Sequence, residues 1–334
     1  MRLARSFWRF PEFRRRSSYP HFPKRVPIVS TSTPGLYDQW GASKHFRANV
    51  GCYECHRAEE GDPDAFKHVD FLIATIVSPK DCGRCHSREV EEFSASRHAT
   101  AAEVQGSYDH LLGAVVEGKA AEISGCQQCH GSRVEIGDNG RPTPSTWPNT
   151  GIGRINPDGS RGACSACHSR HTFAVAQARR PENCGKCHLG PDHPQREVYE
   201  ESKHGIAYYA NMSEMHLDDP KWVVGEDYSV APTCATCHMS ATKALPVTHD
   251  VSARISWTLR PMLSEKIDAG AKARGIEVKP WEKRRADMQQ VCRACHSKSF
   301  VKAFYEQLDA VIELYNKKFA EPDAASCKRL PTTA

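Results

Sequence analysis

Long apolar runs are missing from this 334-residue chain, and the longest, Phe71 to Val77, falls far short of the ~20 residues of a membrane-spanning helix. Hydrophobic residues make up only 39% of the sequence, cysteines included, and the mean hydropathy is −0.59. Side chains alone would build a thin core at this length, so apolar bulk from another source is expected. Acidic residues are scarce only at the start: residues 1–30 carry eight Lys/Arg against the single acid Glu12. The basic pI of about 8.5 therefore belongs to that segment and does not imply nucleic-acid binding. The same segment lacks the apolar stretch of about 7–15 residues that an export signal needs, and nothing hydrophobic follows Arg14, Arg15 and Arg16.

What the chain does hold is cysteine in one arrangement. Fourteen of its fifteen cysteines fall into seven Cys-x-x-Cys-His motifs. They are Cys52/Cys55/His56, Cys82/Cys85/His86, Cys126/Cys129/His130, Cys164/Cys167/His168, Cys184/Cys187/His188, Cys234/Cys237/His238 and Cys292/Cys295/His296. In such a motif the two thiols add across the haem vinyl groups and the histidine ligates the iron. Zinc ribbons, redox dithiols and disulfide frameworks also use paired cysteines, but none needs the histidine. With histidine at 17 of 334 residues, its recurrence after all seven pairs is not a matter of composition. Seven covalent c-type haems are the implied cofactors, and their porphyrins supply the missing apolar bulk. The expected fold is mainly α with little β, short helices and long loops packing around the haems. The spacings between motifs show no fixed period, which excludes a solenoid of identical units.

Ten histidines lie outside the motifs, and three share the context aromatic-x-x-Ser-Lys/Arg-His: His45, His98 and His204. His171 ends a shorter version, Ser169-Arg170-His171. A repeated histidine in a repeated context beside haems suggests the sixth coordination position. His98 follows His86 closely and His204 follows His188 closely, so His45 is expected to follow a motif near residues 29–33, where no cysteine stands. The expectation is a lost first motif and an atypical basic segment over 1–30, with the haem domain over 31–299.

Between Gly137 and Gly162, six glycines and four prolines argue against helix or strand, so an ordered loop covering a haem face or meeting another subunit is expected. Gly151-Ile-Gly-Arg-Ile-Asn does not complete a dinucleotide-binding fingerprint. In Gly190-Pro-Asp-His-Pro194, Asp192 and His193 could relay protons near neutral pH, or could be a helix-start Asp beside a solvent histidine. Phe300, Phe304, Leu308, Val311, Tyr315 and Phe319 recur at helical spacing, predicting an amphipathic helix over 300–322 that packs its apolar stripe inward. Pro322 ends it, and 323–334 is a tail with the unpaired Cys327.

From about Thr33 to Pro322 the chain resembles the octahaem hydroxylamine oxidoreductase family. The strings that carry the likeness are GCYECH at 51–56, WPNTGIGRINPDGS at 147–160, CGKCHLGPDHP at 184–194, APTCATCHM at 231–239 and PVTHD at 246–250. The resemblance implies a mainly helical homotrimer in the periplasm or its equivalent, with most haems bis-histidine ligated and one five-coordinate and catalytic. The haem on Cys126, Cys129 and His130 is similar to the catalytic one, and Asp192 and His193 match the pair over its pocket. Distal ligands are implied at His45, His68, His98, His171, His204 and His249, six for seven haems, which leaves one open. Relative to the family pattern, a first motif and a long C-terminal helical region are absent. The expected activity is oxidation of hydroxylamine or reduction of nitrite or hydroxylamine, with electrons exchanged with a small or quinone-linked cytochrome. The alternatives are a non-catalytic electron conduit and an inactive truncated member.

Overall fold

The computed structural model describes residues 34–103, 125–190, 193–256, 264–273, 275 and 277–322. The basic segment, Asp192 and the tail with Cys327 lie outside the described residues.

Each Cys-x-x-Cys-His forms about one helical turn, which is what its chemistry demands. Residues three and four apart share one helix face, so the turn aims both thiols and the imidazole the same way. The closing bond is visible in most copies: the histidine amide donates to the carbonyl of the first cysteine at 2.9 Å for His86, His168 and His296 and 3.1 Å for His188. Helices this short do not persist alone, so local caps hold them. Ser78 accepts from Lys80 N while Asp81 accepts from Ser78 N, opening Pro79–Gly83. Glu54 accepts from Gly51 N at 2.7 Å ahead of Cys52–His56, and Thr233 and Thr236 cap Cys234–His238 reciprocally.

Strand structure among the described residues is one antiparallel hairpin, β1 (Ala65–His68) with β2 (Phe71–Ala74), in the register Ala65↔Ala74 and Phe66↔Ile73. The hairpin buttresses the first motif: Ala58 N donates to Leu72 O, and His56 Nδ1 lies 2.8 Å from Ala74 O. The fold is mainly helical, with long irregular connections. No described helix is long and apolar enough to cross a membrane.

One apolar cluster forms a side-chain core. Tyr208, Met215, Leu217, Trp222, Val224 and Tyr228 pack with Ala176, Ala231 and Ala235 under the Cys234 motif. Trp222 stacks on Tyr228 at 4.3 Å, and Arg179 lies over the Trp222 ring system, 4.9 Å from its centroid.

The C-terminal helix departs from expectation. It runs Lys298–Tyr315 and continues as a wider turn to Ala320. Its inward residues are Val301 and Tyr305, whereas Phe300, Phe304, Val311, Tyr315 and Phe319 are about half or more exposed. The stripe read from the sequence is rotated off the packed face because Tyr305 is drawn inward under Arg285, which Asp309 grips with both carboxylate oxygens.

Candidate haem-binding site

Folding brings the motifs into one connected series. The thiol of Cys82 is a hydrogen-bond neighbour of Cys164, Cys184 of Cys234, and Cys129 of Cys187. Cys55 feels Cys82, Cys167 lies near Cys184 and Cys187, and Cys237 lies near Cys292. The order is thus Cys52, Cys82, Cys164, Cys184, Cys234 and Cys292, with Cys126 branching from Cys184. Burial and neighbouring thiols push the Cys55 thiol up to about 11 and those of Cys187 and Cys237 to about 12. Among the described residues no three His, Cys, Asp or Glu side chains converge as a metal site, which disfavours the zinc-ribbon reading.

Not every motif thiol is enclosed by side chains. Cys85 and Cys295 are exposed, as is Cys52, whereas the other motif thiols are partly covered. Neither Cys85 nor Cys295 takes part in the thiol-to-thiol series. The reason lies in how their turns are docked. The first thiol of each motif faces inward, Cys82 to Cys164 and Cys292 towards Cys237, so the second is left on the outer side of the turn. Their backbones keep the motif form all the same: Cys85 N donates to Cys82 O at 3.1 Å and Cys295 N to Cys292 O at 3.2 Å.

The histidines give the stronger test. A metal–imidazole bond of about 2.0 Å, plus roughly 1 Å from nitrogen to ring centre on each side, sets about 6 Å between two imidazoles sharing an iron. His45 and His86 lie 6.2 Å apart, His98 and His188 6.1 Å, His204 and His296 6.0 Å, and His168 and His249 6.5 Å. His171 has no such ring contact, but His56 is its nearest charged influence after burial. Each pair joins a motif histidine to one outside the motifs, with thiols alongside. The residues present fit covalently held c-type haem.

The electrostatics favour ligation as well. Burial, then neighbouring histidines, push His98 and His168 down to about 4; burial, then Arg254, does the same for His238. An imidazole held neutral keeps the lone pair that a metal takes. Behind His249, Glu92 accepts the His249 amide at 2.8 Å and stands 3.8 Å from its ring Nδ1.

These pairings correct the spacing argument. His98 faces His188 rather than His86, His204 faces His296 rather than His188, and His45 faces His86. Closeness in sequence is not closeness in space here, because the histidine-bearing turns project away from the motif preceding them. His68 ends β1 on the exposed side, opposite Phe71, and meets no motif histidine among the described residues.

His130 has no ring contact with a second histidine among the described residues. Its surroundings are the turn-rich loop. Ile152 N donates to Cys129 O, Gly153 N to His130 O and Ile155 N to Ser132 O. Glycine is required here: a Cβ on Gly151 would stand 2.0 Å from Gly131 N. The loop continues to the next motif through Ala163 N, which donates to Ile152 O. Of the two roles expected for it, the structure shows it wrapping a motif. A cavity of about 100 Å³ opens alongside, between Gln127, Gln128 and Pro144–Asn149.

His193 packs edge-on to His188 at 6.2 Å, and His130 is the next histidine acting on His188. His193 Nδ1 is buried without a protein partner. The following helix starts at Gln195, beyond Pro194. Sequence reasoning missed three buried arginines, Arg154, Arg254 and Arg284, at 2%, 3% and 6% exposure. Arg154 spends its donors on Asn156 Oδ1, Asn149 O and Val77 O. No composition or spacing signal marks a buried arginine.

Comparison with known proteins agrees with this geometry. Residues 158–323 match a family described as seven-times multihaem cytochrome CxxCH, and residues 81–141 match cytochrome c554 and c-prime. A Kuenenia stuttgartiensis protein named a "probable nitrite reductase-hydroxylamine oxidoreductase fusion protein" is 27% identical over 315 residues, covering 86% of this chain. The chain spans about a third, 32%, of that relative. A solved hypothetical multiheme protein superposes with a TM-score of 0.71 at 28% identity, over 87% of this chain and 78% of its own. A reducing HAO-like protein complex of Kuenenia stuttgartiensis shares the fold, with a TM-score of 0.61 at 23% identity over 85% of this chain and 57% of its own.

Proposed function

The chain is a multihaem c-type cytochrome related to hydroxylamine oxidoreductase-like proteins, and we propose that it is an oxidoreductase acting on a small nitrogen compound at the His130 haem. The observation that carries this reading is the contrast between neighbours: His188 faces His98 across 6.1 Å, whereas His130 has no histidine ring partner among the described residues and His193 lies in the same cluster. Held by Cys126, Cys129 and His130, that haem supplies the iron at which hydroxylamine or nitrite exchanges electrons. In the proposal six haems are bis-histidine or otherwise closed and one of seven is five-coordinate.

The protein's own part is binding, proton supply and exclusion of water. His193, whose buried Nδ1 has no partner among the described residues, exchanges a proton with the substrate, with Asp192 as the second proton-exchanging group that the family resemblance implies. The loop through Gly151 and Gly153 locks the His130 turn, so the motif histidine does not swing with turnover. The thiol-to-thiol order supplies the route for electrons, through the Cys184 motif and outward to a partner cytochrome. Export for haem attachment places the mature protein outside the cytoplasm, and a homotrimer is the assembly implied by the family resemblance.

Ferric EPR of the haem-loaded protein tests the open site. The expected result is a high-spin signal abolished by hydroxylamine or nitrite. Low-spin signals alone, indifferent to both, would overturn the enzyme in favour of a conduit. His193→Gln should then lower turnover about 10²–10⁴-fold at unchanged haem content.

A further inference from the structure

Arg254 follows the Pro246–Asp250 string and is 3% exposed. Its Nη1 donates to Thr236 O at 3.5 Å and Cys237 O at 3.3 Å, and its Nη2 to Ser240 O at 2.9 Å and Pro246 O at 3.0 Å. A guanidinium has five N–H donors, so these carbonyls take four of them and no fork remains for a carboxylate. All four acceptors are neutral, and two belong to the Cys234 motif itself. The nearest carboxylate acting on Arg254 is Asp287, which is already in contact with Lys279. Glu182 is the last of the influences on Cys234, and its Oε2 is buried without a hydrogen-bond partner among the described residues. The Cys234 motif therefore sits against a fixed positive charge, offset only in part by an Asp287 shared with Lys279 and sheltered from the solvent that would screen it.

Resting on the haem reading above, we propose that Arg254 raises the reduction potential of the haem of Cys234, Cys237 and His238. Reduction lowers the charge of an iron centre by one, so a nearby buried cation favours the reduced form. One electron passes from a reduced neighbour to this oxidised haem; no bond forms or breaks and no proton is required.

The test is a potentiometric titration of haem-loaded protein, with haem stoichiometry measured alongside. In Arg254→Gln one haem's wave should fall by about 59 mV or more, a tenfold change in the one-electron equilibrium. Arg254→Lys keeps the charge but not the fork, and should hold that wave near its original value. Asp287→Asn removes the nearest anion without touching Arg254 and should raise it. An unmoved wave in fully loaded Arg254→Gln, or equal falls in the Gln and Lys variants, overturns the proposal. If both Arg254 variants lose haem, the Asp287→Asn titration decides, and no rise there overturns it. Wild-type protein that takes up no covalent haem would sink the haem reading itself, which the stoichiometry reports separately.

Discussion

Of the motifs whose histidines lack a histidine ring partner among the described residues, Cys126 and Cys234 are held by opposite kinds of scaffold. The Cys126 turn is gripped by backbone: a glycine-rich loop lays its amides on the carbonyls of Cys129, His130 and Ser132, with Gly131 and Gly151 closely apposed. The Cys234 turn is gripped by side chains: Tyr228 bonds Thr236, Tyr199 bonds Pro232 O, and Arg254 ties the carbonyls at its end. A backbone cradle fixes position while leaving few side chains over the motif. A side-chain cradle can set charge and polarity but fills the space. The first suits a site that must admit a substrate, and the second suits one that holds an electron.

Substitutions can break this contrast from either side. Gly151→Ala should have the largest effect, because its Cβ would meet Gly131 N at 2.0 Å, Gly131 Cα at 2.3 Å and Gln127 O at 2.5 Å. Backbone cannot step aside as a side chain does, so a cost of about 3 kcal/mol or more is expected. One haem fewer per chain by pyridine haemochromogen assay would show it; full loading and an unchanged Tm would contradict the backbone cradle. Thr236→Val should come next. It strips the Tyr228 hydroxyl of its 2.7 Å partner and Thr233 N of its acceptor in a fully buried setting. Orphaned buried groups of this kind cost about 1–3 kcal/mol, and denaturant unfolding would measure it.

Asp158→Asn probes the outer edge of the loop. Asp158 accepts from Ser78 Oγ and Ser160 Oγ at 2.6 Å and from Ser160 N at 2.9 Å, joining the loop to the cap of the Cys82 motif. An amide keeps one acceptor and loses the other, so about 1 kcal/mol is expected. The smallest effect belongs to a control outside both scaffolds. Burial raises the Asp64 carboxyl above its usual range despite the amide of Ile76. A carboxyl whose folded value is raised stabilises fully below its unfolded pKa of about 3.9, and that stability is lost as pH rises through the folded value. Asp64→Asn should therefore raise Tm slightly at neutral pH and leave it unchanged near pH 3; the reverse pattern would mean the carboxylate is stabilising.

Parts of the site were legible because the chemistry is local. A Cys-x-x-Cys-His turn closes on itself, so each motif kept its one-turn form wherever the chain carried it, at the exposed Cys85 and Cys295 as much as at the buried copies. The loop between Gly137 and Gly162 was legible for a related reason, since its glycines and prolines exclude regular elements. Histidine partnership was not legible. The Ser-Lys/Arg-His context picked out His45, His98 and His204, and all three stand across about 6 Å from a motif histidine, but each faces a later motif than spacing suggested. The amphipathic stripe of the last helix misled for another reason. Periodicity says that one face is apolar; it does not say that the protein buries it, and Tyr305 with Arg285 turned the helix otherwise.

The sequence by itself determined the cofactor chemistry and the predominance of short helices, because both depend on groups within four residues of each other. Tertiary structure alone decided which histidine faces which, where the series branches, which thiols reach the surface, and that Arg254 is buried against the Cys234 motif. Those depend on contacts between segments remote along the chain, and a one-dimensional pattern records the residues that meet without recording the meeting.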